Sequence, residues 1–213
     1  MKIVLCIPGN SFAREIVIDI IRFLDEARSS GWEIVLTMDY DPNIYYVRNK
    51  LLGARVERGP EQKPFGGTMD YDYVLWIDSD VRFNFKMIER LASHKKDAIC
   101  GLYHMIDGKH FTVVREMDDE YFKEHKHYKF LTNEDRPTEL FKIDYCGMGL
   151  FLVSKKVLES LEYPWFRPIW KNIGHMKDFT SEDVGFCMQI REAGYEIYCD
   201  PSVIGGHMKL IPI

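Results

Sequence analysis

Tyr73-Val74-Leu75-Trp76-Ile77-Asp78-Ser79-Asp80 is an apolar run that ends on two carboxylates one residue apart. Such a run reads as a strand buried on both faces, the habit of parallel sheets. The acids then stand at the strand's carboxyl end, where open α/β sheets place their ligands. Like charges held that close are costly without a cation. Two carboxylates also make a hard oxygen site suited to magnesium or manganese. The same pair would serve equally as a turn or a helix N-cap.

Outward from this point the chain alternates strands and helices. Ile3 to Ile7 is a second apolar run, stopped by Pro8-Gly9-Asn10, and Phe12 to Ala27 repeats apolar residues at helical spacing through Ile16, Ile20, Phe23 and Leu24. Glu33 to Thr37 reads as a strand and Tyr45 to Leu52 as a helix carrying Arg48 and Asn49. Pro60 to Thr68 reads as a mobile loop. After the acids come a helix from Lys86 to His94, a strand near Ala98 to Tyr103 and a charge-rich stretch, Met117 to Asp135, read as a solvated excursion. Strands at Phe141 to Asp144 and Gly149 to Ser154 flank the turn Cys146-Gly147-Met148-Gly149, with a helix from Lys155 to Leu161 behind them. The last unit is a helix from Glu182 to Glu192 closed by Gly194, a strand from Glu196 to Cys199 and a tail carrying Gly205-Gly206-His207. This βαβα order predicts an α/β fold with a mostly parallel central sheet flanked by helices.

The chain has 213 residues, 46% of them hydrophobic, enough for one domain with a full core. Its net charge of -5 argues against nucleic acid as a partner. An anionic ligand would then need a local cation. The cysteines are Cys6, Cys100, Cys146, Cys187 and Cys199, an odd number without C-x-x-C spacing, so neither a disulfide framework nor a zinc site is expected. With no signal peptide or membrane-length apolar run, a cytoplasmic, reducing setting is the expectation. The apolar ending Leu210-Ile211-Pro212-Ile213 suggests the N-terminal part of a longer protein with further domains.

Three landmarks in this order, Ile77-Asp78-Ser79-Asp80, then Thr180-Ser181-Glu182-Asp183 opening a helix, then Gly206-His207, resemble those of GT-A-fold glycosyltransferases. The likeness takes in the turn Ile7-Pro8-Gly9-Asn10, the Arg48-Asn49 pair, Cys146 to Gly149 and Pro164-Trp165-Phe166. It is similar in kind to small bacterial and algal-virus enzymes. The resemblance implies a GT-A, Rossmann-like fold as a single domain over 1–213, with 1–103 the nucleotide-binding half and 104–213 the acceptor and metal half. It further implies a hexosyltransferase that uses manganese or magnesium. The donor would be a UDP-sugar such as UDP-glucose, carrying a hexose or deoxyhexose, and the acceptor a glycan or glycoconjugate. Asp80 would ligate the cation, Asp78 would share the metal or the ribose, and His207 would complete the metal set, a tail histidine being its plain alternative. Pro8, Asn10, Arg48, Asn49, Ser79 and Gly147 would surround the donor. In an inverting enzyme Asp183 would be the base that deprotonates the acceptor, with Glu182 on acceptor or donor hydroxyls; in a retaining one both would hold sugar hydroxyls or stabilise an oxocarbenium-like state, and both also suit a helix N-terminus. Trp165, Phe166 and Trp170 could form a platform for a sugar face or simply pack in the core.

A nicotinamide enzyme would need G-x-G-x-x-G after the first strand, where this chain has Pro8-Gly9-Asn10-Ser11-Phe12-Ala13. A sugar-nucleotide nucleotidyltransferase would carry a Gly- and Arg-rich loop at that turn. A non-catalytic sugar-nucleotide-binding domain is the third alternative.

Overall fold

The structure, a computed structural model, describes residues 1–208. The apolar ending Leu210 to Ile213 therefore lies outside the described residues. The chain opens with β1 (Lys2–Pro8), α1 (Arg14–Ser29), β2 (Glu33–Asp39) and α2 (Ile44–Leu51). Next come β3 (Tyr73–Ile77), β4 (Val81–Arg82), α3 (Phe85–Ser93), β5 (Ala98–Leu102), β6 (His110–Val114), α4 (Asp119–His125) and β7 (Phe130–Thr132). Then follow β8 (Phe141–Ile143), β9 (Tyr145–Cys146), β10 (Leu150–Ser154), α5 (Lys155–Ser160), β11 (Trp170–Ile173) and β12 (Met176–Phe179). The described part ends with α6 (Glu182–Glu192), β13 (Ile197–Ile204) and β14 (Gly206–His207).

The main sheet has seven strands in the order β2-β1-β3-β10-β5-β13-β8. Strands β2, β1, β3, β5 and β13 run one way, while β10 and β8 oppose them. Alternate residues of each strand feed two cores. Ile3, Leu5 and Ile7 of β1 and Leu75 and Ile77 of β3 meet Ile16, Ile20 and Phe23 of α1 and Ile88 and Leu91 of α3. Val4 and Cys6 of β1 and Val74 and Trp76 of β3 point the other way, onto Val47 and Leu51 of α2 and Phe186 and Ile190 of α6. Each such side chain is worth roughly 1.5–3 kcal/mol when fully buried, which is why both faces of β1 and β3 had to be apolar.

This frame sets the carboxyl ends of β1, β2, β3 and β5 along one edge. Antiparallel β10 begins at that same edge, with Leu150 opposite Ile77. Just beyond β3, the short strand β4 pairs antiparallel with β14, which places His207 opposite Val81.

Several sequence expectations are corrected. Met117 to Asp135 is solvated as expected, with Leu131 its one buried residue, but it is not irregular: it contains α4 and β7, and β7 pairs with β6. The expected mobile loop at Pro60 to Thr68 is pinned: buried Gln62 bonds the backbone of Arg55 and Gly59, and Phe65 meets Tyr71 edge-on at 5.2 Å. Strand β13 runs on to Ile204, and the hairpin β11–β12 is an element the sequence reading lacks. No helix among the described residues is long and apolar enough to cross a membrane.

Candidate active site

The carboxyl ends of β1, β2 and β3, with α2, α6 and β14, enclose an open cleft of about 430 Å³. Its lining includes Pro8, Gly9, Arg48, Asp78, Ser79, Asp80, Glu182 and His207. Three landmarks far apart in sequence therefore converge on one depression.

The Asp78-Ser79-Asp80 turn closes through a backbone bond from Val81 N–H to the Asp78 carbonyl, 3.0 Å. The β1 turn comes so near that a Cβ on Gly9, at φ +158, would fall 2.7 Å from the Ser79 Cβ. Only glycine lets these two segments touch. On the other side Met208 N–H donates to the Asp80 carbonyl at 2.8 Å, so the chain after β14 is tied to the acidic turn. His207 Nε2 consequently lies 3.3 Å from Asp80 Oδ2. Its other ring nitrogen, Nδ1, is bonded to the His104 carbonyl, which can only accept. The Nδ1 proton is thus fixed, and in the neutral ring Nε2 turns a lone pair toward the carboxylate, the arrangement usual in a metal-binding histidine.

Asp78, expected to share the metal or the ribose, has Oδ1 paired with Arg48 Nη2 at 2.9 Å. Arg48 Nε reaches Glu182 Oε1 at 3.3 Å, and its side chain is only 3% exposed. The guanidinium also lies 5.6 Å from the Trp76 ring centroid and 5.9 Å from that of Phe166. Arg48 was expected to help surround the donor. It lines the cleft but is buried, with Nη2 on Asp78 and Nε on Glu182, tying the acidic turn to the start of α6, while Nη1 has no hydrogen-bond partner among the described residues. Asn49 is likewise corrected: its amide nitrogen donates to the Phe166 and Tyr45 carbonyls and its oxygen accepts from Phe166 N–H, so it holds the chain before β11 rather than a donor.

Glu182 and Asp183 open α6 but look different ways. Glu182 lines the cleft with a side chain 13% exposed. Burial, and then the neighbouring Asp183 charge, push its carboxyl above the ordinary range, while Arg48 pulls it back. Asp183 Oδ2 accepts from the Tyr145 hydroxyl at 2.8 Å, and Oδ1 accepts from Ser181 and from Val184 N–H. Burial first, then Asp183, hold the Tyr145 phenol far above its usual range, so it remains a donor.

The remaining expectations divide. Asn10 is exposed and does not line the cleft, its side chain bonded among the described residues by Ser11 at 3.4 Å. Gly147 is small for a different reason than approach to a sugar: a Cβ there would stand 2.2 Å from the Tyr103 hydroxyl. That hydroxyl in turn accepts from Gly149 N–H at 3.0 Å. Trp165 and Phe166 are core residues, fully or almost fully buried, and form no platform; Trp170 is 64% exposed on β11. Tyr40, Asp41, Tyr103 and Thr112 line the cleft without having been singled out in the sequence. Tyr40 and Asp41 could have been found, since they follow β2 at a strand's carboxyl end, where ligands sit. Tyr103, Thr112 and Tyr145 carry no local signal.

No family model matches the chain, and no curated protein sequence does. Solved structures do. The crystal structure of A197 from STIV matches over 99% of this chain and 87% of that one, with a TM-score of 0.60 and 20% identity. The catalytic domain of Drosophila beta1,4galactosyltransferase 7, crystallised with xylobiose, matches over 98% of this chain and 71% of that one, with a TM-score of 0.51 and 12% identity. The chain has the GT-A glycosyltransferase fold that its sequence landmarks resemble.

Proposed function

We propose that this chain is a metal-dependent glycosyltransferase moving a hexose or deoxyhexose from a UDP-sugar to a hydroxyl acceptor such as a glycan. The observation that carries the reading is the Asp80–His207 pair, with the histidine tautomer set by the His104 carbonyl, in a cleft shared with Asp78 and Glu182. Among the described residues no group of three or more His, Cys, Asp or Glu is disposed to hold a metal unaided. Manganese or magnesium would be held by Asp80 and His207 only together with the diphosphate, as is common for cations that accompany phosphates. When bound, such a cation would offset charge on the leaving diphosphate.

The chain's own residues supply the rest. The ends of β1 and β2, with Pro8, Tyr40 and Asp41, form the wall for the nucleotide. Residues 1–103 then serve the nucleotide and 104–213 the acceptor and the metal. Arg48 fixes Asp78 and Glu182, so Glu182 can bind donor-sugar hydroxyls in a constant position. Asp183, oriented by Tyr145, takes the proton from the acceptor hydroxyl as its oxygen bonds to C1 and the C1–phosphate oxygen bond breaks. UDP leaves with the bonding pair. All five cysteines are buried free thiols, in keeping with a reducing compartment.

Calorimetric titration with UDP and UDP-glucose, with manganese and again with EDTA, tests the proposal. Binding should vanish in EDTA and in Asp80→Ala. The variant should also lose about a thousandfold in transfer rate, while Tm moves by no more than about 2 °C because the side chain is half-exposed. Equal affinity in EDTA and in the variant would remove the metal from the proposal.

A further inference from the structure

Beside the cleft lies a second depression, about 240 Å³, between α4 and the β11–β12 hairpin. Phe122, Tyr128, Ile173, Met176, Phe179 and Val184 give it an apolar lining. Most of its polar groups are already engaged. The Lys171 ammonium is bonded to Asp119 at 2.8 Å and to the Tyr128 hydroxyl. Thr180 Oγ1 accepts from Ile169 N–H at 3.1 Å, and Asp178 Oδ1 accepts from Phe179 N–H at 2.8 Å. A hydroxyl-rich sugar ring would lose its water there and find few vacant partners, a cost with nothing to offset it. An apolar group meets no such penalty. The volume is also right for one, since a cavity of about 150 Å³ lined by apolar residues already accepts benzene.

The position of the groove matters as much as its chemistry. Thr180 and Val184, which line it, bracket Ser181-Glu182-Asp183 in the chain. Glu182 lines the donor cleft, so the groove and the candidate site are flanked by the one short segment that also carries Asp183. At its outer end Phe179, 55% exposed, meets Trp170, 64% exposed, edge-on at 5.9 Å, which carries the apolar surface outward.

We propose that this groove is an acceptor subsite for an apolar aglycone, an aryl or alkyl group attached to the sugar or hydroxyl that Asp183 deprotonates. The inference rests on the transferase reading and narrows its acceptor from glycans in general to those carried on an apolar group. The occupant buries its ring or chain against Met176 and Ile173 and leaves its hydroxyl-bearing end at α6.

The test uses the full chain with manganese and a UDP-sugar that it is found to bind. One monosaccharide is offered as the free sugar, as its p-nitrophenyl glycoside and as its octyl glycoside below the micelle concentration. Binding of each without donor is followed by calorimetry. At least one glycoside should show a KM about tenfold or more below that of the free sugar, the worth of one or two buried methylenes. Which one gains separates an aryl from an alkyl occupant. Met176→Asp should abolish the gain while UDP binding and the free-sugar KM stay unchanged. Phe179→Ser, at an exposed position, repeats the test should the first variant fail to fold. Equal KM values for all three acceptors overturn the proposal, as does a dimer of the native chain that Met176→Asp dissociates, because a second copy would then fill the groove. If the native chain binds no nucleotide, the transferase reading falls separately. Donor-free glycoside binding that both variants lose would still establish the groove, and its absence from the native chain would end it.

Discussion

The donor cleft and the apolar groove beside it are built by opposite means. In the cleft, side chains are charged and joined across long stretches of chain: Arg48 reaches Asp78, 30 residues on, and Glu182, 134 residues on, while Asn49 holds Phe166 over a separation of 117. The groove is a surface between α4 and a local hairpin, with Met176 and Ile173 as register partners and Phe179 and Trp170 half open to solvent. Charge placed by a seven-stranded sheet has little freedom to move. An apolar surface on peripheral elements can change its occupant by changing a few side chains. The contrast suits chemistry common to many acceptors on one side and acceptor choice on the other.

The largest break in that contrast should come from Arg48→Met. The methionine keeps a stem against Trp76 and Phe166 but leaves Asp78 and Glu182 facing each other without their cation. Removing one partner of a buried ionic network costs about 3–5 kcal/mol, to be read from urea midpoints. The pH dependence has a fixed sign. Burial and Asp183 already raise the Glu182 pKa in the folded chain, so native stability favours its protonated form and declines as pH rises through that value. The variant's deficit should therefore be greatest at neutral pH and shrink in acid. A deficit below about 1 kcal/mol would mean that the cleft does not depend on the guanidinium.

A charged network elsewhere in the molecule sharpens the comparison. Asp200, in β13 and 2% exposed, is bonded to Arg90 and His94 at 2.7 Å each and to the hydroxyl and N–H of Ser202. Burial opposes its charge, yet those bonds, Ser202 first, hold its pKa down at about 2. A depressed carboxylate contributes stability above its ordinary value and loses it as pH falls through the folded one. Asp200→Asn should lose about 2 kcal/mol at neutral pH and flatten the acid limb of the stability curve from the ordinary carboxylate value of 3.8 down to about 2. Donor binding should be untouched. Loss of donor binding in this variant would show that the cleft is less isolated from the rest of the sheet than its bonds suggest.

The two regions also differ in how far they could be read from residues alone. Strands β1 and β3 announce themselves because both faces are buried and the runs are unbroken, and α6 begins and ends where its acids and Gly194 imply. The cleft residues Asp78, Asp80, Glu182 and His207 stand at strand or helix ends, so a fold hypothesis brings them together. The inward turn of Arg48 was hidden, because its burial is created by partners 30 and 134 residues away. The groove was hidden for another reason. Helix α4 is seven residues rich in charge with no buried member, and β11–β12 buries only Ile173, so neither shows the periodicity that marks an element. Trp165 and Phe166 misled in the opposite direction: their aromatic rings suit a sugar face, but packing claims them.

The smallest effect is expected where the two regions meet. The Tyr145 hydroxyl donates to Asp183 Oδ2, while Ser181 and Val184 N–H hold Oδ1, so the carboxylate has three restraints and loses one in Tyr145→Phe. The ring stays packed near Phe130, 6.2 Å away, and leaves no cavity. One hydrogen bond to a charged group is worth about 1.5–3 kcal/mol, and with two restraints left the loss should lie at the low end, so turnover should fall by about tenfold with UDP affinity unchanged, since Tyr145 does not line the donor cleft. If turnover does not change, Asp183 needs no orientation by Tyr145, and Glu182, the carboxylate whose pKa burial has raised, becomes the better base. If it collapses a thousandfold, the phenol itself moves the proton, and the boundary between cleft and groove is where the chemistry lies.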